Sequence, residues 1–151
     1  MTRTKLELPD QFAFSTDIAV RIGDINYGGH LGNDAVLSLI HEARVRFLSR
    51  HGMSERDAGG AGIIMTDVVI VYKSEVFYGS TLKIEVAVQG LTRTGCDFYY
   101  RLRDRASGKE VARAKTGIAF FDYETRKVMP VPDRFRTAVF QASQAVRQDS
   151  C

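Results

Sequence analysis

The chain has little cysteine and no long apolar run, and each absence narrows what it can be. Its two cysteines are Cys96 and Cys151. Cys151 is the last residue, so a structural disulfide is not expected and a reducing, cytoplasmic setting follows. The opening residues, MTRTKLELPDQF, lack the apolar stretch of a secretory leader. No apolar run approaches the length of a membrane span, so no membrane partner is expected. Lys and Arg never cluster densely enough to form a phosphate track, so nucleic acid is not an expected partner either. Metal-ligand spacings, a P-loop and a dinucleotide fingerprint are missing, so no metal and no cofactor are expected. No G-x-S-x-G elbow is present to raise a nucleophilic serine.

What remains is the composition of an ordinary globular domain. There are 151 residues, 44% hydrophobic and 26% charged, which suits one domain with a sizeable core. A net charge of +3 and a pI near 9.0 fit a solvated surface or a site for a small polyanion.

The pattern turns on residues 20–48, VRIGDINYGGHLGNDAVLSLIHEARVRFL. From Phe14 to Ile22, alternation puts Ile18, Val20 and Ile22 on one face of a strand. A turn follows, holding Asp24, Asn26, His30, Asn33 and Asp34 among Gly28, Gly29 and Gly32. A helix is expected from Asn33 or Asp34, either of which can cap it, to about His51, with Gly52 as terminator. Val36, Ile40, Ala43 and Phe47 form its apolar stripe, with His41, Arg44 and Arg46 flanking or opposing it.

Residues 1–12 are polar, and the reading there is a poorly ordered segment. Ile63 to Tyr72 is apolar on both faces, which suits the middle of a sheet or a subunit contact. Leu82, Ile84, Val86 and Val88 alternate with Lys83, Glu85 and Gln89, giving a half-buried strand. Phe98, Tyr100 and Leu102 mark another, a hairpin at Ala106–Lys109 follows, and Val111 to Phe121 is the last long strand. Residues 133–147 read as a helix with Phe135, Val139, Ala142 and Val146 on its stripe. Consecutive strands joined by short turns imply an antiparallel sheet, which one long amphipathic helix would fill.

These residues resemble the hotdog-fold acyl-CoA thioesterases of the 4-hydroxybenzoyl-CoA thioesterase type. The family's turn has the form D-x-D-x-x-G-H-x-x-N, followed by a helix bearing E-A-R. Here the matching residues are Asp24, Asn26, Gly29, His30 and Asn33, then Glu42, Ala43 and Arg44. The segment LTRTGCDFYYRLRD is similar to a strand opening of the same family. The resemblance implies an α+β hotdog fold, an antiparallel β-sheet wrapped around one long central α-helix, plus a C-terminal helix. It places one domain over 1–151, with its core at about 14–123 and the last helix at about 133–147. It further implies a homodimer or homotetramer with sites at the subunit interface. The activity it implies is hydrolysis of a small-molecule acyl-CoA to a free acid and coenzyme A, the latter being part of the substrate. Two other readings stay open: a hydroxyacyl-thioester dehydratase on the same fold, and a non-catalytic acyl-CoA binding module.

One residue departs from the family pattern. The catalytic carboxylate four residues before the His is replaced by Asn26. Asn26 is therefore a group to position water or the thioester carbonyl, or an Asx-turn residue. His30 aligns with the turn His of related plant acyl-carrier-protein thioesterases, and is a candidate general base or a packing residue. Asp34 is a candidate base or orienter, or a first-turn acid. Glu42 matches the family's helix glutamate, or pairs with Arg46 at i+4. Asp24 is expected to fix the turn through backbone N–H bonds. It joins Tyr27, Gly28, Gly29 and Leu31 as candidate substrate-contacting residues, with N–H groups of Gly28 to Leu31 holding an oxyanion. Arg93, Arg113 and Lys115 are candidates for the phosphates of coenzyme A, or ordinary surface charges.

Overall fold

The computed structural model describes residues 3–140. Six strands form a single antiparallel sheet: β1 (Phe14–Ala19), β2 (Gly62–Tyr72), β3 (Thr81–Gln89), β4 (Gly95–Asp104), β5 (Glu110–Asp122) and β6 (Lys127–Val128). The order across the sheet is β1-β3-β4-β5-β2, with the short β6 paired to β5. The long helix α1 (Asn33–Arg50) fills the inner face. This is the α+β hotdog arrangement.

Strand alternation and helical periodicity meet in one core. Leu82, Ile84 and Val86 of β3 and Phe98, Tyr100 and Leu102 of β4 are buried, as are Val36, Ile40, Ala43 and Phe47 of α1. The Phe47 ring meets Phe98 edge-on at 5.4 Å between centroids. Each of the buried Val, Leu, Ile and Phe side chains contributes about 1.5–3 kcal/mol by leaving water. A C-terminal helix, α2, covers 133–140, and its Phe135 stands edge-on to Phe120 of β5 at 4.8 Å. The expected helix residues 141–147, including Ala142 and Val146, lie outside the described residues.

The structure corrects several expectations. β1 ends at Ala19 rather than Ile22, because the chain enters a 3₁₀ turn over Ile22–Asp24. Ile22 is consequently 70% exposed. The N-cap of α1 is Gly32, in extended backbone and without a side-chain cap; Asn33 and Asp34 are already helical. Arg44 is not at the margin of the helix but buried. It donates to Tyr100 Oη (3.1 Å) and Glu55 Oε2 (3.3 Å), and Tyr100 Oη meets Thr116 Oγ1 at 2.9 Å. A buried cation needs such partners.

The opening segment is also placed. Arg113 Nη1 donates to the Leu6 carbonyl (2.8 Å), and the Arg101 guanidinium stacks 4.8 Å from the Phe12 ring. Arg101 and Arg113 are cross-strand partners on the sheet face opposite α1, so residues 6–12 cross the strands on that outer face. β2, finally, is an edge strand and not a central one. Met65, Val68 and Tyr72 are 43%, 38% and 45% exposed.

Candidate active site

The glycine-rich turn closes on itself through its backbone. Asn26 N–H donates to the His30 carbonyl, Gly29 N–H to the Asn26 carbonyl, and Gly32 N–H to the Asp24 carbonyl. Leu31 N–H reaches across to the Val76 carbonyl at 2.8 Å. That bond fastens the turn to the segment leaving β2. Gly29 has φ +83°, a conformation that glycine adopts without steric cost. Asp24 is buried and accepts the Arg21 N–H at 2.9 Å, which holds the start of the turn.

The side chains then follow. Asn26 Oδ1 accepts the Gly28 N–H at 2.9 Å, an Asx turn that leaves the Asn26 Nδ2 hydrogens directed elsewhere. His30 Nδ1 lies 3.3 Å from the Leu31 carbonyl oxygen. A carbonyl only accepts, so this contact calls for a proton on Nδ1 and leaves Nε2 as the acceptor of the neutral ring. Nε2 is 3.8 Å from Glu75 Oε1. An ideal Cβ on Gly28 would sit 3.3 Å from Asn26 Oδ1 and 3.4 Å from His30 Nε2, so Gly28 keeps open the space between amide and imidazole.

His30 lies in a cavity of about 270 Å³ that is also lined by Val36, Tyr72, Lys73, Ser74 and Glu75. The Tyr72 hydroxyl donates to the Asn33 carbonyl at 2.8 Å and ties β2 to the start of α1. Burial raises the Tyr72 hydroxyl above its usual range, and nearby Asp34 adds to the shift. Asp34 folds back over the helix start, 2.7 Å from where a Gly32 Cβ would be. It brings negative charge to the positive end of α1.

Not every candidate comes to this place. Gly28, Gly29 and Leu31 use their N–H groups inside the fold, so they offer no oxyanion donors in this conformation. Tyr27 is fully exposed. Glu42 pairs with Arg46 (3.2 Å), which in turn holds Thr16 Oγ1 and the Asp17 carbonyl of β1. It therefore faces the β1 side of the helix, away from the His30 cavity. Arg113 is bound bidentately by Glu110 at 2.6 and 2.9 Å. Lys115 lies 2.6 Å from Asp67 and 3.6 Å from Asp97. Both cations alternate with the inward Ala112 and Ala114, and so stand on the outer face. Arg93 is in the β3–β4 turn, where its carbonyl accepts the Val131 N–H. That turn adjoins Ala119, eight residues along β5 from Val111, or roughly 27 Å by strand rise.

Glu75, Tyr72 and Lys73 are site residues that the sequence reading missed. The signal was the acid in YKSE, directly after the apolar strand. Among the described residues no group of His, Cys, Asp and Glu is arranged to hold a metal ion. No helix there is long and apolar enough to cross a membrane.

Known proteins agree with this architecture. The 1,4-dihydroxy-2-naphthoyl-CoA thioesterase from Synechocystis superposes with a TM-score of 0.77 at 21% identity, over 84% of this chain and 95% of its own. A putative thioesterase from Pseudomonas aeruginosa gives 0.78 at 22% identity, over 85% and 99%. A Staphylococcus aureus protein solved in complex with CoA gives 0.79 at 16% identity, over 93% and 89%. Among curated proteins, none matches the chain in sequence. The model of the family described as the thioesterase-like superfamily matches residues 20–139, from the end of the first strand through the last described helix. On that match the chain belongs to the thioesterase-like superfamily.

Proposed function

We propose that the protein hydrolyses an acyl-CoA thioester, with His30 and Glu75 activating the attacking water. The observation that carries this reading is the 3.8 Å separation of His30 Nε2 and Glu75 Oε1 at the wall of one cavity. It is too long for a direct hydrogen bond. With Nδ1 protonated, both facing atoms are acceptors. One water can donate to each and present a lone pair to the thioester carbon. The proton it loses passes to His30 or Glu75, a contribution of about 10²–10⁴ in rate. Asn26 Nδ2 supplies the donor for the developing oxyanion, a group whose removal costs about 10²–10³. Collapse of the tetrahedral intermediate breaks the C–S bond, and the thiolate takes the proton back. Asn26 thus acts through its amide nitrogen and not as a substitute base.

The CoA held by the Staphylococcus aureus neighbour supports a CoA ester as substrate. The exposed edge of β2 supports a dimer, since an unpaired apolar edge invites a second copy. A two-fold antiparallel pairing would bring the Gly62 end of one β2 beside the Tyr72 end of the other. Arg93 would approach the His30 cavity only from such a partner.

A His–acid pair also serves a hydroxyacyl-thioester dehydratase. The test is a panel of acyl-CoA and 3-hydroxyacyl-CoA thioesters, with thiol and enoyl products followed separately. Release of free thiol supports hydrolysis. An enoyl thioester points to the dehydratase, and tight binding without either product to a binding module.

A further inference from the structure

A second cavity shares a wall with the first. It measures about 660 Å³ and lies between residues 3–7 and the Ile70–Lys73 end of β2. Tyr72 and Lys73 line both cavities. Arg3, Lys5 and Lys73 of its lining form no salt bridge among the described residues, and Glu7 is the one carboxylate there. Arg113 also reaches the lining but is held by Glu110 and donates to the Leu6 carbonyl. The other cavities differ in charge. That beside β6 is lined by Arg56 together with the carboxylates of Asp57, Asp122 and Glu124. In the one near the β4–β5 hairpin, Arg103 and Arg105 are taken by Glu85 and Asp17.

We propose that this cavity binds the phosphates of the coenzyme A portion of the substrate through Arg3, Lys5 and Lys73, with Arg113 clipping the N-terminal segment in place. The proposal rests on the reading of the His30 cavity as the thioester site. Lys73 lines both cavities, which would place it between the reacting end and the nucleotide end of such a ligand. Lys73 feels the Glu110 carboxylate only at a distance, and guanidinium and ammonium groups outside any salt bridge among the described residues suit phosphate oxygens. A thioester on a carrier protein presents one phosphodiester and no nucleotide, so it would gain less here.

The test compares the wild-type protein with the Arg3→Glu/Lys5→Glu double variant and with Lys73→Glu. All three positions are exposed, so folding is not at stake. Binding of coenzyme A and of adenosine 3′,5′-bisphosphate is measured by calorimetry. Turnover of a CoA thioester is compared with that of the N-acetylcysteamine thioester of the same acid. The expected result is binding of both probes, weakened about tenfold or more in each variant, the size of a lost charge-assisted contact. The preference for the CoA thioester should fall by a similar factor. Unchanged binding in both variants would overturn the phosphate site. So would hydrolysis of the N-acetylcysteamine thioester with no binding of either probe, and that result leaves the hydrolase reading intact. Binding that depends on Arg3 and Lys5 without hydrolysis of any thioester would support the phosphate site and defeat the hydrolase reading.

Discussion

His30 and Glu75 face each other across 3.8 Å, although a helix and a strand separate them in the chain. The Leu31–Val76 backbone hydrogen bond sets their approach, one residue beyond each. Their relation is set by a backbone hydrogen bond between the turn and the segment after β2 rather than by flexible side chains alone.

The space between Asn26 and His30 depends on Gly28. Its backbone does not need φ > 0, so alanine is tolerated by the chain. Valine would press on both the amide and the imidazole, given the 3.3 and 3.4 Å approaches. Gly28→Val is expected to lower kcat by about 10²-fold, the usual effect of an ångström-scale displacement. Steady-state kinetics beside a melting curve separates this from unfolding.

Asn26→Asp distinguishes an amide donor from a missing base. Oδ1 is already engaged by Gly28 N–H, so the substitution turns the remaining donor into an anion beside the developing oxyanion. Turnover should fall by about 10²–10³. A gain in kcat would show that a carboxylate base is wanted at this position.

Much of this was legible in the sequence, and the reason is periodicity. The stripe Val36, Ile40, Ala43, Phe47 and the alternation of Leu82 to Val88 each report one buried face directly. Parity also held the answer for Arg113 and Lys115, which alternate with Ala112 and Ala114 and so face outward. Glu75 stands out only as an acid directly after the apolar strand, and its pairing with His30 was not legible, because the path of the chain after β2 sets it and not local spacing. Arg44 was missed for the same reason: Tyr100 and Glu55 are remote in sequence, and only the packed core brings them to one guanidinium.

Tyr100 links Arg44 to Thr116 inside the core. Burial raises its hydroxyl above the usual range, so it stays neutral, accepting from Arg44 and sharing a hydrogen bond with Thr116. Tyr100→Phe leaves buried polar groups without a partner and should destabilise by about 1–3 kcal/mol. Urea unfolding with an unchanged m-value would measure it.

Cys96 is buried, and desolvation, aided by Asp97, pushes its thiol up to about 12. Almost no thiolate exists at neutral pH, and the thiolate is the reactive form. Native protein should leave one of the two cysteines unreactive toward a disulfide reagent until it is unfolded. Rapid reaction of both would contradict the buried placement.

The β2 edge should carry the subunit contact. Light scattering is expected to give at least about twice the 16.9 kDa chain mass. Val68→Lys, at the exposed inner side of β2, should return the monomer mass.

The most direct measurement is kcat for a turned-over acyl-CoA in the wild type, His30→Ala and Glu75→Gln. Neither side chain fills the apolar core, and Glu75 is 66% exposed, so melting temperatures should stay within about 2 °C. The account predicts that His30→Ala lowers kcat by about 10² or more and that Glu75→Gln lowers it by at least about tenfold. Near-native kcat/KM in both variants would contradict it.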